Sequence, residues 1–136
     1  MNPILLDTHA ALWAANGTLP DAATRTVASA VERGDLLLSP ITAWEIAMLV
    51  NKGRLSLAQT VQDFVRALFG QPGVVTATLT PAIGVAAAGL PGTFHADPVD
   101  RLLVATAAAY GARFVTRDKR IHDFAKATRY IRCVAC

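Results

Sequence analysis

Residues 95–110, His-Ala-Asp-Pro-Val-Asp-Arg-Leu-Leu-Val-Ala-Thr-Ala-Ala-Ala-Tyr, constrain this chain more than any other stretch. They predict a helix opening at Pro98. Asp97 suits the N-cap, Pro98 the first helical position, and Asp100 the third, as in a capping box. Behind that start the helix is apolar on nearly every face, so it must be buried in a core or an interface. The fold has to wrap a greasy rod whose mouth carries two carboxylates.

The rest of the chain supplies the wrapping. Ile4-Leu5-Leu6 is a short apolar run ended by Asp7 and reads as a buried strand. A helix follows from Thr8 to the Asn16-Gly17 stop, and a second runs from Pro20 to Arg33. Leu36-Leu37-Leu38 is the next buried strand, and Ser39-Pro40 opens a helix through about Lys52. Ser56 is expected to cap a helix over Leu57–Phe69, with a strand over Val74–Leu79 and a small-residue helix over Pro81–Gly89. After the apolar helix come a strand over Arg113–Thr116, a short helix around Ile121–Ala127 and a strand over Tyr130–Val134. Trp13 and Trp44 read as core aromatics. Strands separated by helices require crossover connections, so the class is α/β with a central parallel sheet of four to five strands. At 136 residues the chain is expected to form one domain, 1–136.

Composition removes several functions. The longest apolar runs, 82–90 and 102–112, are too short to span a membrane. The N-terminus meets an acid after three apolar residues and has no basic region, unlike a signal peptide, which predicts a cytoplasmic protein. Neither GxGxxG nor GxxxxGK[ST] occurs. Cys133 and Cys136 form a CxxC at the chain end without partners for zinc, and read as incidental thiols. Charge is uneven: residues 1–100 hold eight acids against five bases, and residues 101–136 eight bases against two acids. The basic segment can attract a polyanion.

In an open parallel sheet, ligands sit at the carboxyl ends of the strands. Asp7 follows the first strand, Asp118 follows the fourth, Glu45 lies near the start of the helix after the second, and Asp100 lies at a helix mouth. These four acids can therefore face one pocket. Two unit charges about 4 Å apart repel by roughly 4 kcal/mol at a moderate effective dielectric, so such a cluster protonates, spreads or binds a hard cation. Oxygen ligands suit Mg²⁺ or Mn²⁺, and the chemistry they support is phosphodiester hydrolysis, with one carboxylate orienting the attacking water. Thr8, Ser39 and Thr116 are candidates to hold waters there. Arg101, Arg117, Lys119 and Arg120 are candidates for phosphate contacts, with pairing to an acid the other reading of Arg101.

Several motifs together resemble one family. They are Leu-Leu-Asp7-Thr8-His9-Ala-Ala-Leu-Trp13, then Ser39 with Trp44-Glu45-Ile46, and Lys52-Gly53-Arg54-Leu55. They continue with Leu90-Pro91, His95-Ala-Asp97-Pro98-Val-Asp100-Arg101 and Val115-Thr116-Arg117-Asp118. In this order they resemble PIN-domain proteins, specifically the VapC-type toxins of bacterial toxin–antitoxin pairs. The resemblance implies a three-layer α/β/α fold and a Mg²⁺- or Mn²⁺-dependent endoribonuclease held in check by a VapB-like antitoxin. It assigns the metal and the catalysis to Asp7, Glu45, Asp100 and Asp118. Asp97 reads first as the helix cap and second as a ligand, and His9 and His95 as residues that hold loops. The resemblance and the apolar helix over 99–110 together predict a homodimer. Val99 and Leu49 depart from the family's usual aromatic and lysine, and neither departure removes an acid.

Other readings compete. An RNA-processing nuclease without an antitoxin has the same acids. A catalytically silent RNA- or protein-binding module has no need of all four. A phosphotransfer domain with Asp7 as acceptor is disfavoured, since a dehalogenase-type site needs Asp where His9 stands, and a receiver-type site needs a strand-end lysine that residues 128–136 lack.

Overall fold

The computed structural model describes residues 1–136. Its five strands are β1 (Ile4–Leu6), β2 (Leu36–Leu38), β3 (Val74–Thr76), β4 (Arg113–Thr116) and β5 (Arg132–Ala135). They form one parallel sheet in the order β3-β2-β1-β4-β5. Seven helices connect them: α1 (Thr8–Asn16), α2 (Asp21–Arg33), α3 (Pro40–Asn51), α4 (Val61–Phe69), α5 (Pro81–Ala88), α6 (Pro98–Tyr110) and α7 (Lys119–Thr128).

Strand alternation sorts the core into two halves. Leu5, Leu37 and Phe114 face one side, against Ile83 of α5, Leu103 of α6 and Phe124 of α7. Ile4, Leu6, Leu36, Leu38 and Val115 face the other, against Ala10 and Ala11 of α1 and Ala30 of α2, with Leu68 and Phe69 of α4 packed alongside. The result is a three-layer α/β/α arrangement, and a strand buried on both faces needs apolar residues throughout, as β1 has. Helix α3 lies against α1, α4 and α6. Helix α6 is the expected buried rod: Val99 and Leu103–Ala107 are buried within this one chain. Most of its apolar surface is therefore used internally, with Ala109 and Tyr110 left exposed at its C-terminal end.

Some boundaries differ from expectation. The fourth helix starts at Val61, not Leu57, because the Thr60 hydroxyl, not Ser56, accepts from the Asp63 N–H at 3.1 Å. Strand β3 stops at Thr76 instead of Leu79. Its partner β2 ends at Leu38, where Ser39 begins α3, and the last pairing bond runs from Ala77 N to Leu38 O at 2.8 Å. Helix α7 starts at Lys119, two residues early, because the Asp118 carboxylate caps it. Strand β5 starts at Arg132, not Tyr130, because Arg129 closes α7 at φ 58° and residues 129–131 make the turn. Cys133 packs into one half of the core and Cys136 against the other, so the two thiols do not pair across the CxxC. Burial pushes the Cys133 thiol up to about 11. No helix is long and apolar enough to cross a membrane.

One turn depends on glycine. Gly73 has φ +87°, and a Cβ there would lie 2.2 Å from the Val31 carbonyl oxygen. Gly73→Ala is expected to cost about 1–3 kcal/mol, a strained backbone plus a displaced neighbour. A urea unfolding midpoint equal to that of the parent protein would contradict this account of the β2–β3 edge.

Candidate metal centre and active site

From β1 the chain moves to β2 on one side, while β4 occupies the other. This switch leaves a crevice at the carboxyl ends of β1 and β4. Asp7 stands at its edge, tied to β4 by its own N–H, which donates to Val115 O at 3.1 Å. A cleft of about 300 Å³ opens there, lined by Asp7, Glu45, Asp97, Asp100 and Asp118. Acids from four separate regions of the sequence thus meet in one hollow, with Thr8, His9, Trp13, Arg117 and Arg120 completing much of its wall.

Local helix chemistry places these groups. Asp7 caps α1 by accepting from Ala10 N at 2.7 Å. Asp97 caps α6 by accepting from Val99 N at 2.9 Å and Asp100 N at 3.3 Å. Asp118 caps α7 by accepting from Arg120 N at 2.8 Å. Three helix N-termini, each the positive end of a dipole, therefore bring acids to the rim and offset part of their mutual repulsion. Glu45 comes from further along α3. Asp100 does not close a capping box. Its Oδ2 lies 2.7 Å from Nε2 of His95 instead.

The four acids are not electrostatically alike. Burial pushes Asp7 above the usual aspartate range, against the stabilising Thr116 hydroxyl and Ala10 N–H. Burial likewise raises Glu45, although the Thr8 hydroxyl opposes it and Asp100 adds repulsion. Burial also raises Asp100, with His95 opposing and Asp97 reinforcing. Asp118 is lowered, first by its hydrogen bonds from the Arg120 side chain, at 3.0 and 3.3 Å. Three carboxylates held in a cleft that penalises their charge suit a bound cation, and the donor set of carboxylates plus one imidazole suits a hard divalent ion. The tightest grouping is His95, Asp100 and Asp118, whose ligand atoms all lie within 4.8 Å of one another.

The shifts set a pH dependence. A carboxyl group raised on folding contributes stability below its unfolded value, near 3.8 for Asp and 4.5 for Glu, and loses it as pH rises through the folded value. Asp118 runs the other way, losing its contribution only as pH falls through its lowered value. Between neutrality and the ordinary carboxylate range the first three dominate. The metal-free protein is expected to melt at a higher temperature as pH drops from about 7 toward 5, and divalent ions should flatten that slope. Calorimetry showing the opposite slope in chelator would contradict the burial assigned to these acids.

Other predicted site residues fall differently. Thr8 lines the cleft and donates to the wholly buried Thr42 hydroxyl at 3.3 Å. Ser39 is wholly buried as the α3 cap, its Oγ accepting from Ile41 N at 3.1 Å, so it holds the backbone rather than a water. Thr116 is also wholly buried, and its hydroxyl accepts from Asp118 N at 3.1 Å. Arg101, expected at phosphate, donates to the carbonyls of Ala87, Ala88, Phe94 and His95 at 2.9–3.2 Å. Lys119 reaches Asp123 at 3.4 Å and does not line the cleft. Arg117 lies 3.9 Å over the Trp13 ring and donates to Cys136 O at 2.7 Å. Trp13 is thus half-buried at the cleft wall, and Trp44 is 53% exposed, so neither is a core aromatic. Sequence reasoning gave His95 a loop-holding role and missed that it bonds an acid of the cleft directly. Its place five residues before Asp100, in the loop entering α6, was the available signal.

Residues 4–127 match the PIN-domain family model. Ribonuclease VapC22 of Mycobacterium tuberculosis is 35% identical over 124 residues, covering 90% of this chain and 92% of that protein. Among solved structures, VapBC2 from Rickettsia felis bound to a promoter DNA fragment matches with a TM-score of 0.68 at 16% identity, covering 97% of each chain. FitAcB from Neisseria gonorrhoeae matches with a TM-score of 0.63 at 19% identity, over 96% of this chain and 95% of that one. These two likenesses are of fold. The family match takes in every acid of the cleft and both helical layers, and on that ground the chain belongs to the PIN-domain family, in its VapC-type branch.

Proposed function

We propose that this protein is a Mg²⁺- or Mn²⁺-dependent endoribonuclease and the toxin of a toxin–antitoxin pair. The observation that carries the reading is the cleft that gathers Asp7, Glu45, Asp100 and Asp118 at the crevice between β1 and β4. The ribonuclease name of the relative sharing 35% identity supports RNA as substrate. Asp7, Asp100 and Asp118 would hold the ion, with Glu45 and His95 beside them and Asp97 chiefly a cap. When bound, the ion supplies positive charge to the phosphate and makes a neighbouring water more acidic.

The chain's own groups do the rest. Glu45 takes up a proton from the attacking water, a task that its burial and raised proton affinity favour. Asp118 stays ionised because Arg120 holds it so. Thr8 and Thr116 stand near Glu45 and Asp7, where their hydroxyls favour the ionised carboxylates against burial. Arg120 and Arg117 stand at the wall where phosphates flanking the cut would pass. An antitoxin partner accords with the solved complexes of similar fold. A homodimer rests chiefly on the family resemblance, since most of the apolar surface of α6 is buried within the chain.

The test is cleavage of total RNA by the purified protein, with cut ends mapped. Cleavage that needs Mg²⁺ or Mn²⁺, stops with chelator and leaves 5′-phosphate and 3′-hydroxyl ends is the expected result. Cleavage undiminished in chelator, or cyclic-phosphate ends, would overturn the proposal. Neutralisation by the product of an adjacent small gene separates a toxin from an RNA-processing nuclease.

A further inference from the structure

A second hollow, about 390 Å³, adjoins the acid cleft. It is lined in part by Trp44, Met48, Lys52 and Arg54, and it shares Glu45 and Asp97 with the cleft as a common wall. Trp44 and Met48 are one turn apart on α3 and share a face. Lys52 caps the C-terminal end of α3, about 10 Å along the helix from Glu45, and Arg54 follows in the turn beyond it. Three features of this hollow go beyond what the proposed reaction uses.

The first is the indole. Trp44 is 53% exposed, next in sequence to an acid of the site, where a smaller or polar residue would satisfy the helix. The second is the state of the cations. A cleft of five acids repels a phosphate chain, so a substrate needs positive charge nearby. Arg101 is committed to backbone carbonyls, and Arg117 and Arg120, at the far wall of the acid cleft, already bond Cys136 and Asp118, while Lys119 pairs with Asp123 away from both hollows. Lys52 and Arg54 are exposed and form no ion pair. The third is continuity, since Glu45 and Asp97 belong to both hollows.

We infer that this hollow is a nucleotide subsite for single-stranded RNA, resting on the ribonuclease reading above: a base next to the cleavage point stacks on Trp44, and its phosphate lies against Lys52 and Arg54. An aromatic face beside free cations is the general platform for unpaired nucleic acid, because every base has a π-face to stack. A paired base keeps its faces inside the helix, so duplex RNA gains nothing from Trp44.

The experiment uses Asp7→Asn protein, which should hold RNA without cutting it, a fluorescein-labelled single-stranded RNA and fixed salt. Adding Trp44→Ala should weaken binding about 5- to 150-fold, the effect of losing one stacked base, and Trp44→Tyr should restore most of it. RNA should quench indole emission in the Asp7→Asn protein and quench it less once Trp44 is Tyr. Lys52→Ala and Arg54→Ala should each flatten the log Kd against log salt slope by roughly 0.7. Binding of the duplex form should be indifferent to Trp44→Ala. Unchanged single-strand affinity in Trp44→Ala overturns the subsite, as does Trp44 emission that shifts with protein concentration in the absence of RNA, which marks a seam between copies. If the otherwise wild-type Trp44→Ala enzyme cleaves with an unaltered KM, the subsite falls and the nuclease stands. If the wild-type protein binds RNA through Trp44 and never cleaves it, the nuclease falls and the subsite stands.

Discussion

Asp7→Asn is expected to lower RNA cleavage by about 10²- to 10⁴-fold or more while leaving the metal-free protein as stable as before, or more so. The two halves of that result have separate causes. Asn at this position still accepts from Ala10 N, now 2.7 Å from the Asp7 carboxylate, so the cap on α1 survives. What disappears is a charge that burial already disfavours. Asp7→Ala is the control: it removes cap and charge together, and should lose about 1 kcal/mol relative to Asn. Melting temperatures in chelator and single-turnover cleavage on the same preparations give both readings. Full cleavage by Asp7→Asn, with contaminating nuclease excluded, would remove Asp7 from the site. A large drop in its metal-free stability would show that the charge is compensated inside the chain and needs no ion.

Arg101→Ala is expected to destabilise the protein by about 2–4 kcal/mol, and Arg101→Lys by somewhat less. The guanidinium links the end of α5, through the carbonyls of Ala87 and Ala88, to the loop before α6, through those of Phe94 and His95. Hydrogen bonds from a charged donor contribute more than neutral ones, and removing the donor strands several part-buried acceptors. Lysine keeps the charge but lacks the planar fork. The loss should reach the site, because the same loop carries His95 to Asp100 and presents Asp97 to α6. A phosphate-binding arginine would behave differently, with RNA affinity and its salt slope falling while urea unfolding stayed put. That pattern would contradict the clamp.

The parts of this molecule legible in the sequence are those decided locally. The caps at Ser39 and Asp97 each need only a side chain and the N–H groups two or three residues on, and the same local chemistry at Asp7 is found only in the structure. The triplets Ile4-Leu5-Leu6 and Leu36-Leu37-Leu38 announced strands because they carry apolar groups for both faces. Trp44 was misread because an apolar helix position signals burial without saying how complete it is, and here about half of the residue stays exposed. Arg101 was misread for the reverse reason. A cation near acids looks free until the carbonyls it bonds are known. The end of β3 was set by its partner running out, and the start of α4 by which of two nearby hydroxyls, Ser56 or Thr60, meets the helix.

The roles assigned to the acids all require the cleft between β1 and β4 to grip a divalent ion. Crystals soaked in Mn²⁺ and measured for anomalous scattering test this directly. The expected result is a peak among Asp7, Asp100 and Asp118, reachable by Glu45 and His95, and absent from Asp100→Asn crystals treated alike. Mn²⁺ bound only elsewhere, or at the cleft of the Asp100→Asn protein as strongly as in the wild type, would contradict it.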